Sequence, residues 1–159
     1  MSELVRNLPL LIGLRCWGIV AGVGNGSMAT LHLGARVARR PALANQYLSD
    51  ELRQYRGEYC LFVKGCAWNL NVGPRIICSS TDPEPKIGTE LTRQLTGATI
   101  TKSNVEESTA NLQVEFGEHG VLSLLCHQPR RDGVDNYAVR FPFGWIKVDQ
   151  SNVIQTAPA

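Results

Sequence analysis

Hydrophobic and polar positions alternate with period two along most of this chain. Ala29, Leu31 and Leu33 alternate with Thr30 and His32 before Gly34, and Leu112, Val114 and Phe116 alternate with Gln113 and Glu115 before Gly117. Tyr59/Leu61/Val63, Cys66/Trp68/Leu70, Leu122/Leu124/Cys126 and Tyr137/Val139/Phe141 repeat the pattern, with shorter runs at Ile76/Cys78 and Ile146/Val148. Successive side chains of a strand point to opposite faces, so each run turns one apolar face toward a core. Asn25-Gly26, Lys64-Gly65, Asn71 to Pro74 and Phe143-Gly144 are turn signals and predict antiparallel meanders. Helical spacing is confined to short stretches. Leu4/Leu8 and Leu91/Leu95 stand four apart behind candidate caps Ser2 and Thr89, and Ser49 to Arg56 reads as a helix capped by Ser49 and stopped by Gly57. The expected class is α+β, mainly antiparallel sheet, with ten strands and two or three helices.

The runs fall into two similar series. Ser2-Glu3-Leu4-Val5-Arg6-Asn7-Leu8 matches Thr89-Glu90-Leu91-Thr92-Arg93-Gln94-Leu95, and Tyr59/Leu61/Val63 parallels Leu122/Leu124/Cys126. Cys66/Trp68/Leu70 parallels Tyr137/Val139/Phe141 in turn. Each series reads as a helix followed by five strands. We expect two tandem repeats, 1–80 and 87–150, packed as an internal pseudo-dimer within one domain over 1–159. The two prolines of Ser79 to Pro85 should keep that join irregular.

The copies differ in two places. The first carries an insertion, 35–57, with Arg36, Arg39, Arg40 and Tyr47. A loop of that length either covers a sheet edge or makes contacts. The second carries a longer loop, His127 to Asn136, with Arg130, Arg131, Asp132, Asp135 and Asn136, which reads as a solvated hairpin loop. It lacks the alternating carboxylates and downstream glutamate of a calcium loop. Trp68 is in phase with Leu70 and belongs to the core. Trp145 shares a face with Lys147, which makes it either a contact anchor or part of a second buried layer.

Charge and cysteine content narrow the partners. The net charge is +2, which implies no nucleic-acid partner. That value hides a split: nine Lys/Arg and four Asp/Glu through Ser80, then seven and ten from Thr81 onward. Five cysteines, an odd number with no C-x-x-C pair, favour a reducing compartment. The apolar stretch Leu8 to Leu14 is preceded by Glu3 and ended by Arg15, unlike a signal peptide, and the uncharged window Cys16 to Ala35 is too polar to span a bilayer. A cytoplasmic protein, not membrane-bound, monomer or homodimer, is expected.

Motifs for chemistry are few. Gly22-Val23-Gly24-Asn25-Gly26 places its third glycine too early for a dinucleotide fingerprint and precedes a strand, so it reads as a hairpin turn. No Walker lysine, G-x-S-x-G or H-E-x-x-H occurs. His32, His119 and His127 are scattered, and neighbouring Cys126 and His127 point to opposite faces of a strand, so no metal is expected. Cys60 and Cys126 read as small core residues. No cofactor and no catalytic residue are expected.

The Leu95-Thr96-Gly97 start, the strand ending in Phe116-Gly117 and the run Gly120-Val121-Leu122-Ser123-Leu124 together resemble small uncharacterised bacterial β-rich proteins. Some of these are similar to toxin-immunity proteins. The resemblance covers mainly Leu95 to Val148. It implies a protein that binds and blocks a partner, and it carries over no catalytic residue. The expectation is a non-catalytic bacterial binding protein, immunity-like, whose partner is another protein. Its contact residues are Arg39, Arg40 and Tyr47 in the insertion and Arg130, Arg131, Asp135 and Asn136 in the second loop, with Trp145 as an anchor. The alternatives are a small-molecule binding module, with a pocket between the repeats lined by Trp17, Trp68 or Trp145, and an unrecognised enzyme.

Overall fold

The alternating runs become strands, and capped leucine pairs become helices. The computed structural model describes residues 2–129 and 133–158. Its elements are α1 (Glu3–Asn7), a 3-10 turn (Leu8–Leu11), β1 (Cys16–Ala21), β2 (Ala29–Ala38), α2 (Asp50–Gln54), β3 (Tyr55–Val63), β4 (Cys66–Val72) and β5 (Arg75–Ser79). They continue with α3 (Glu84–Leu95), β6 (Lys102–Val105), β7 (Leu112–Glu115), a 3-10 turn (Gly117–His119), β8 (Val121–Pro129), β9 (Tyr137–Phe141), β10 (Gly144–Val148) and β11 (Ile154–Pro158). The fold mixes helices with strands, and every strand ladder is antiparallel.

Two sheets form. One runs β1-β2-β3-β9-β10-β11, the other β5-β4-β8-β7-β6. The first takes β1, β2 and β3 from the N-terminal half and adds β9, β10 and the edge strand β11. The second takes β6, β7 and β8 and adds β4 and β5. Leu31, Leu33, Leu61, Val63, Val139, Phe141, Ile146 and Val148 of the six-stranded sheet share one core with Trp68, Leu70, Leu112, Val114, Leu122 and Leu124 of the five-stranded sheet. Leu4 of α1 and Ile87, Leu91 and Leu95 of α3 enter the same core. The buried Tyr137 hydroxyl donates to the Ala110 carbonyl at 2.8 Å, which satisfies both groups.

Several local expectations need correction. Among the described residues there are eleven strands, because Ile154–Pro158 adds an edge beyond the ten. Lys64-Gly65 is not a hairpin turn: β3 and β4 lie in different sheets, and the Gly65 N–H donates to the Asp135 carbonyl at 2.9 Å. The connection from β8 to β9 likewise passes between sheets, so residues 127–136 do not close a hairpin. A turn dipeptide reports a change of direction, not whether the next strand pairs with the last. The Ser79 to Pro85 join is partly helical, since α3 begins at Glu84 and takes Pro85 into its first turn. A proline there forfeits an N–H that has no helical partner anyway. Thr89 is therefore inside the helix and caps nothing. Ser49 does cap α2, accepting from the Leu52 N–H, but the helix gives way to β3 at Tyr55 and Gly57 lies within that strand.

One contact fixes α3 against the first hairpin. A Cβ on Gly22, at φ +97°, would stand 2.9 Å from the Gly88 Cα, and one on Gly88 would stand 3.0 Å from the Gly22 Cα. The two glycines let strand end and helix touch backbone to backbone. The neighbouring Gly24 N–H donates to the Glu84 carboxylate at 2.9 Å, so the glycine-rich turn serves as a dock for the helix N-terminus.

Candidate functional site

The core consumes one face of each sheet and leaves the other outward. On the six-stranded sheet the ladders align one outer row as Gly18, His32, Cys60, Arg140, Trp145 and Ala157. The adjacent row is Val20, Thr30, Phe62, Ala138, Lys147 and Gln155. On the five-stranded sheet the corresponding outer row is Asn104, Gln113, Ser123, Asn69 and Ser79. One sheet thus presents cations and aromatic rings, with His32 and Cys60 buried among them, while the other presents amides and hydroxyls beside a Lys102–Glu115 ion pair.

The insertion folds back over the β1–β2 end of the first face. Leu52 reaches Gly18, where an added Cβ would stand 2.9 Å from its Cδ2. Arg39 pins the return of the loop, with its backbone N–H on the Gln54 carbonyl and its Nε on the Leu52 and Tyr55 carbonyls at 3.0 and 3.2 Å. Arg36 pairs with Glu51 of α2 and lies over the Trp17 ring, 4.6 Å from its centroid. The insertion is both a cover and a source of arginines for the face.

His32 and Cys60 lie beneath this cover. The His32 Nδ1 accepts the Gly57 N–H at 3.0 Å, which leaves the imidazole proton on Nε2. The Cys60 Sγ lies 3.4 Å from the same Nδ1 and 3.6 Å from the Gly57 carbonyl. Burial pushes the thiol up to about 11, even though Arg140, Arg56 and Arg39 pull the other way. Burial, helped by Arg39 and Arg56, pushes the imidazole down to about 4. Both groups are neutral at physiological pH and only 1% and 2% exposed. A nucleophilic pair needs a thiolate that substrate can reach, and this pair offers neither. Cys60 is buried, as a small apolar residue is expected to be, but outside the cluster between the sheets, because Tyr59, Leu61 and Val63 take the inner face of β3. Cys126 does lie in the core.

Arg39, Arg56 and Arg140 surround Cys60. Burial lowers the pKa of Arg39 and of Arg140, and the Arg56 charge lowers both further. Among the described residues none of the three has an ion-pair partner, Glu58 included. Arg140 lies over the Trp145 ring at 5.2 Å and Lys64 over Phe62 at 5.9 Å, while Phe62 and Trp145 touch with centroids 5.0 Å apart. Arg39, Arg56, Phe62, Lys64, Arg140, Trp145 and Lys147 are all half-buried. The Trp17 indole N–H is buried without an acceptor among the described residues.

The residues expected from sequence scatter. Arg39 and Trp145 lie on this face. Arg40 is exposed just beyond it, and Tyr47 is 88% exposed beside a cavity of about 330 Å³ between the insertion and the Val23–Asn25 turn. Asp135 is half-buried and offers its carbonyl to Gly65. Asn136 is fully buried; its amide donates to the Asp149 carbonyl and the Asn152 side chain, both at 3.0 Å, and so closes a turn inside the chain. Arg130 and Arg131 lie outside the described residues. Trp68 is buried, its Nε1 bonded to the Ser27 carbonyl at 2.7 Å. Sequence reasoning missed Arg56 and Arg140. Their signal was present, since each stands at a polar position of an alternating strand, but it is visible only once β3 is paired with β9.

Among the described residues no helix is long and apolar enough to cross a membrane, and no three His, Cys, Asp or Glu side chains gather as metal ligands. No protein-family model, curated protein or solved structure matches the chain.

Proposed function

We propose that this chain is a non-catalytic binding protein whose partner seats on the outer face of the six-stranded sheet. The observation that carries this reading is the Arg39–Arg56–Arg140 cluster with its aromatic floor. Burial takes hydration from the Arg39 and Arg140 guanidinium groups, the Arg56 charge repels both, and none of the three has a carboxylate partner among the described residues. Such an arrangement costs stability in the free protein and is relieved by a bound anion. Arginine and tryptophan at the centre of a surface are also the usual energetic anchors of protein interfaces. A blocking role, as the immunity resemblance implies, is one use of such a face.

The reading includes an internal duplication. In its support, Leu61 pairs with Val139, and Leu124, its sequence counterpart, pairs with Trp68. Phe62–Ala138 and Leu125–Ala67 repeat the relation. Each sheet then combines three strands of one copy with two of the other, as in a strand-exchanged pseudo-dimer. The ladders place Leu112 opposite Leu124 and Leu31 opposite Leu61, which on this reading makes Leu112 the counterpart of Leu31.

The test is capture from the protein's own host with three baits: wild type, Arg56→Glu/Arg140→Glu, and a control on the neutral face, Asn69→Asp/Gln113→Glu. A stoichiometric partner held by wild type and control but lost by the reversal supports the reading. A partner that survives the reversal, or no stoichiometric partner with any bait, counts against it.

A further inference from the structure

Resting on the reading above, we infer that the partner presents a cluster of carboxylates: an acidic protein segment, rather than nucleic acid, seats on Arg39, Arg56 and Arg140. The cations specify an anion. They are arginines at the centre, with Lys64 and Lys147 to the side. Guanidinium groups present paired N–H donors that match the two oxygens of a carboxylate or phosphate. Arg39 spends its Nε within the chain and Arg56 gives one terminal nitrogen to the Gly57 carbonyl, so both keep terminal nitrogens for a ligand. Arg140 makes no hydrogen bond to any described residue beyond its own strand pairing and lies on Trp145.

The rings decide between carboxylate and nucleic acid. Single-stranded nucleic acid is held by bases stacked on open aromatic faces. Here the rings already carry cations: Trp17 holds Arg36, Trp145 holds Arg140 and Phe62 holds Lys64. A base would have to displace the charge that attracts its own phosphate. A carboxylate needs no ring. It meets the outward edge of a guanidinium group that the ring already orients. The chain as a whole carries a net charge of only +2, little for a polyanionic strand. Glu58, between Arg56 and Cys60 in β3, forms no ion pair with a described residue.

The test uses fluorescently labelled synthetic probes and the full chain. They are a glutamate-rich octapeptide with one tyrosine, the same peptide with every Glu replaced by Gln, and an oligothymidylate of equal charge. Binding of the Glu peptide at least about tenfold tighter than the Gln peptide or the oligonucleotide is expected. Arg140→Gln and Arg56→Gln should each weaken it at least about fivefold, and Arg140→Lys, which keeps the charge but loses the fork, should recover only part of the loss. Unchanged circular dichroism and urea midpoint qualify each variant, and Lys147→Gln, at the side of the patch, should have a smaller effect. Equal binding of Glu and Gln peptides, no binding of either, or tighter binding of the oligonucleotide overturns the carboxylate assignment. Each of those results leaves host capture to decide separately whether the face binds a protein at all.

Discussion

Replacing His32 with Asn removes an imidazole that the arginine cluster helps to hold neutral, and keeps an oxygen near the position where Nδ1 accepts the Gly57 N–H. The folded-state pKa of His32 lies near 4 against an ordinary 6.5, with burial the largest cause and Arg39 and Arg56 adding to it. Between those values the unfolded chain binds a proton that the folded chain refuses. The unfolded state is therefore the more protonated, and stability falls as pH drops from 6.5 toward 4, then levels off. At about 1.4 kcal/mol per pH unit this window is worth roughly 3 kcal/mol, a large share of the 5–15 kcal/mol typical of a domain. Urea unfolding followed by tryptophan fluorescence, repeated at steps across the window, measures the loss. His32→Asn should cost about 1 kcal/mol at neutral pH and then lose roughly 3 kcal/mol less than wild type on acidification, because every other titrating group is shared and cancels in the difference. Arg56→Gln should shrink the loss from the other side, by letting His32 protonate at higher pH. Parallel stability curves for wild type and His32→Asn would refute both the burial and the cluster as described.

Further expectations concern packing and access. Gly22→Ala or Gly88→Ala forces apart the strand–helix contact and should cost at least about 2 kcal/mol in urea unfolding, the larger loss falling on Gly22 because of its positive φ; a cost below about 0.5 kcal/mol would contradict the contact. Tyr137→Phe leaves the buried Ala110 carbonyl without its hydroxyl donor and should cost about 1–2 kcal/mol, with no effect on peptide binding at the distant face. All five cysteines are buried, and burial raises the Cys16 thiol to about 12 and Cys78 to about 11, so native protein should take up no iodoacetamide by mass spectrometry and unfolded protein should take up five. Rapid native labelling of Cys60 would show that the insertion does not cover it.

Most of the strands could be read from alternation, because burial on one face imposes period two directly on the side chains. The apolar runs at Ala29, Tyr59, Cys66, Leu122 and Tyr137 all form strands with those residues inward. Ser2 and Ser49 also cap the helices expected of them, since capping depends on residues three apart. Pairing was not legible. Lys64-Gly65 and Asn25-Gly26 look alike in sequence, yet the first carries the chain between sheets and the second turns it back within one. The difference is set by a partner strand some seventy residues away, and no local pattern records it. β11 was missed for a related reason. Its residues Gln155, Thr156 and Pro158 are exposed, so an edge strand over solvent lacks the apolar alternation that identifies the rest.

The arginine face shows the same limit in chemical form. In sequence, Arg56 and Arg140 are two of twelve arginines, eighty-four residues apart, each an unremarked polar position on a strand. The ladder from Cys60 to Arg140 brings them together, and that ladder exists only because β9 joins β3 instead of pairing with β8. Arg39 was singled out as a contact residue of an arginine-rich insertion, but the Leu52 and Tyr55 carbonyls that hold it over the sheet could not be read from sequence. Asn136 was singled out beside Asp135 as loop chemistry and instead closes a buried turn. Polarity in a sequence does not separate a side chain that satisfies its own fold from one left facing outward. The separation appears when donors and acceptors are counted in place: Asn136 ends with its amide bonded, and Arg140 ends with a charge that no described residue answers. That unanswered charge, repeated at Arg39 and Arg56 around a neutral thiol, is what sets this face apart from ordinary solvated sheet and what the proposed binding role rests on.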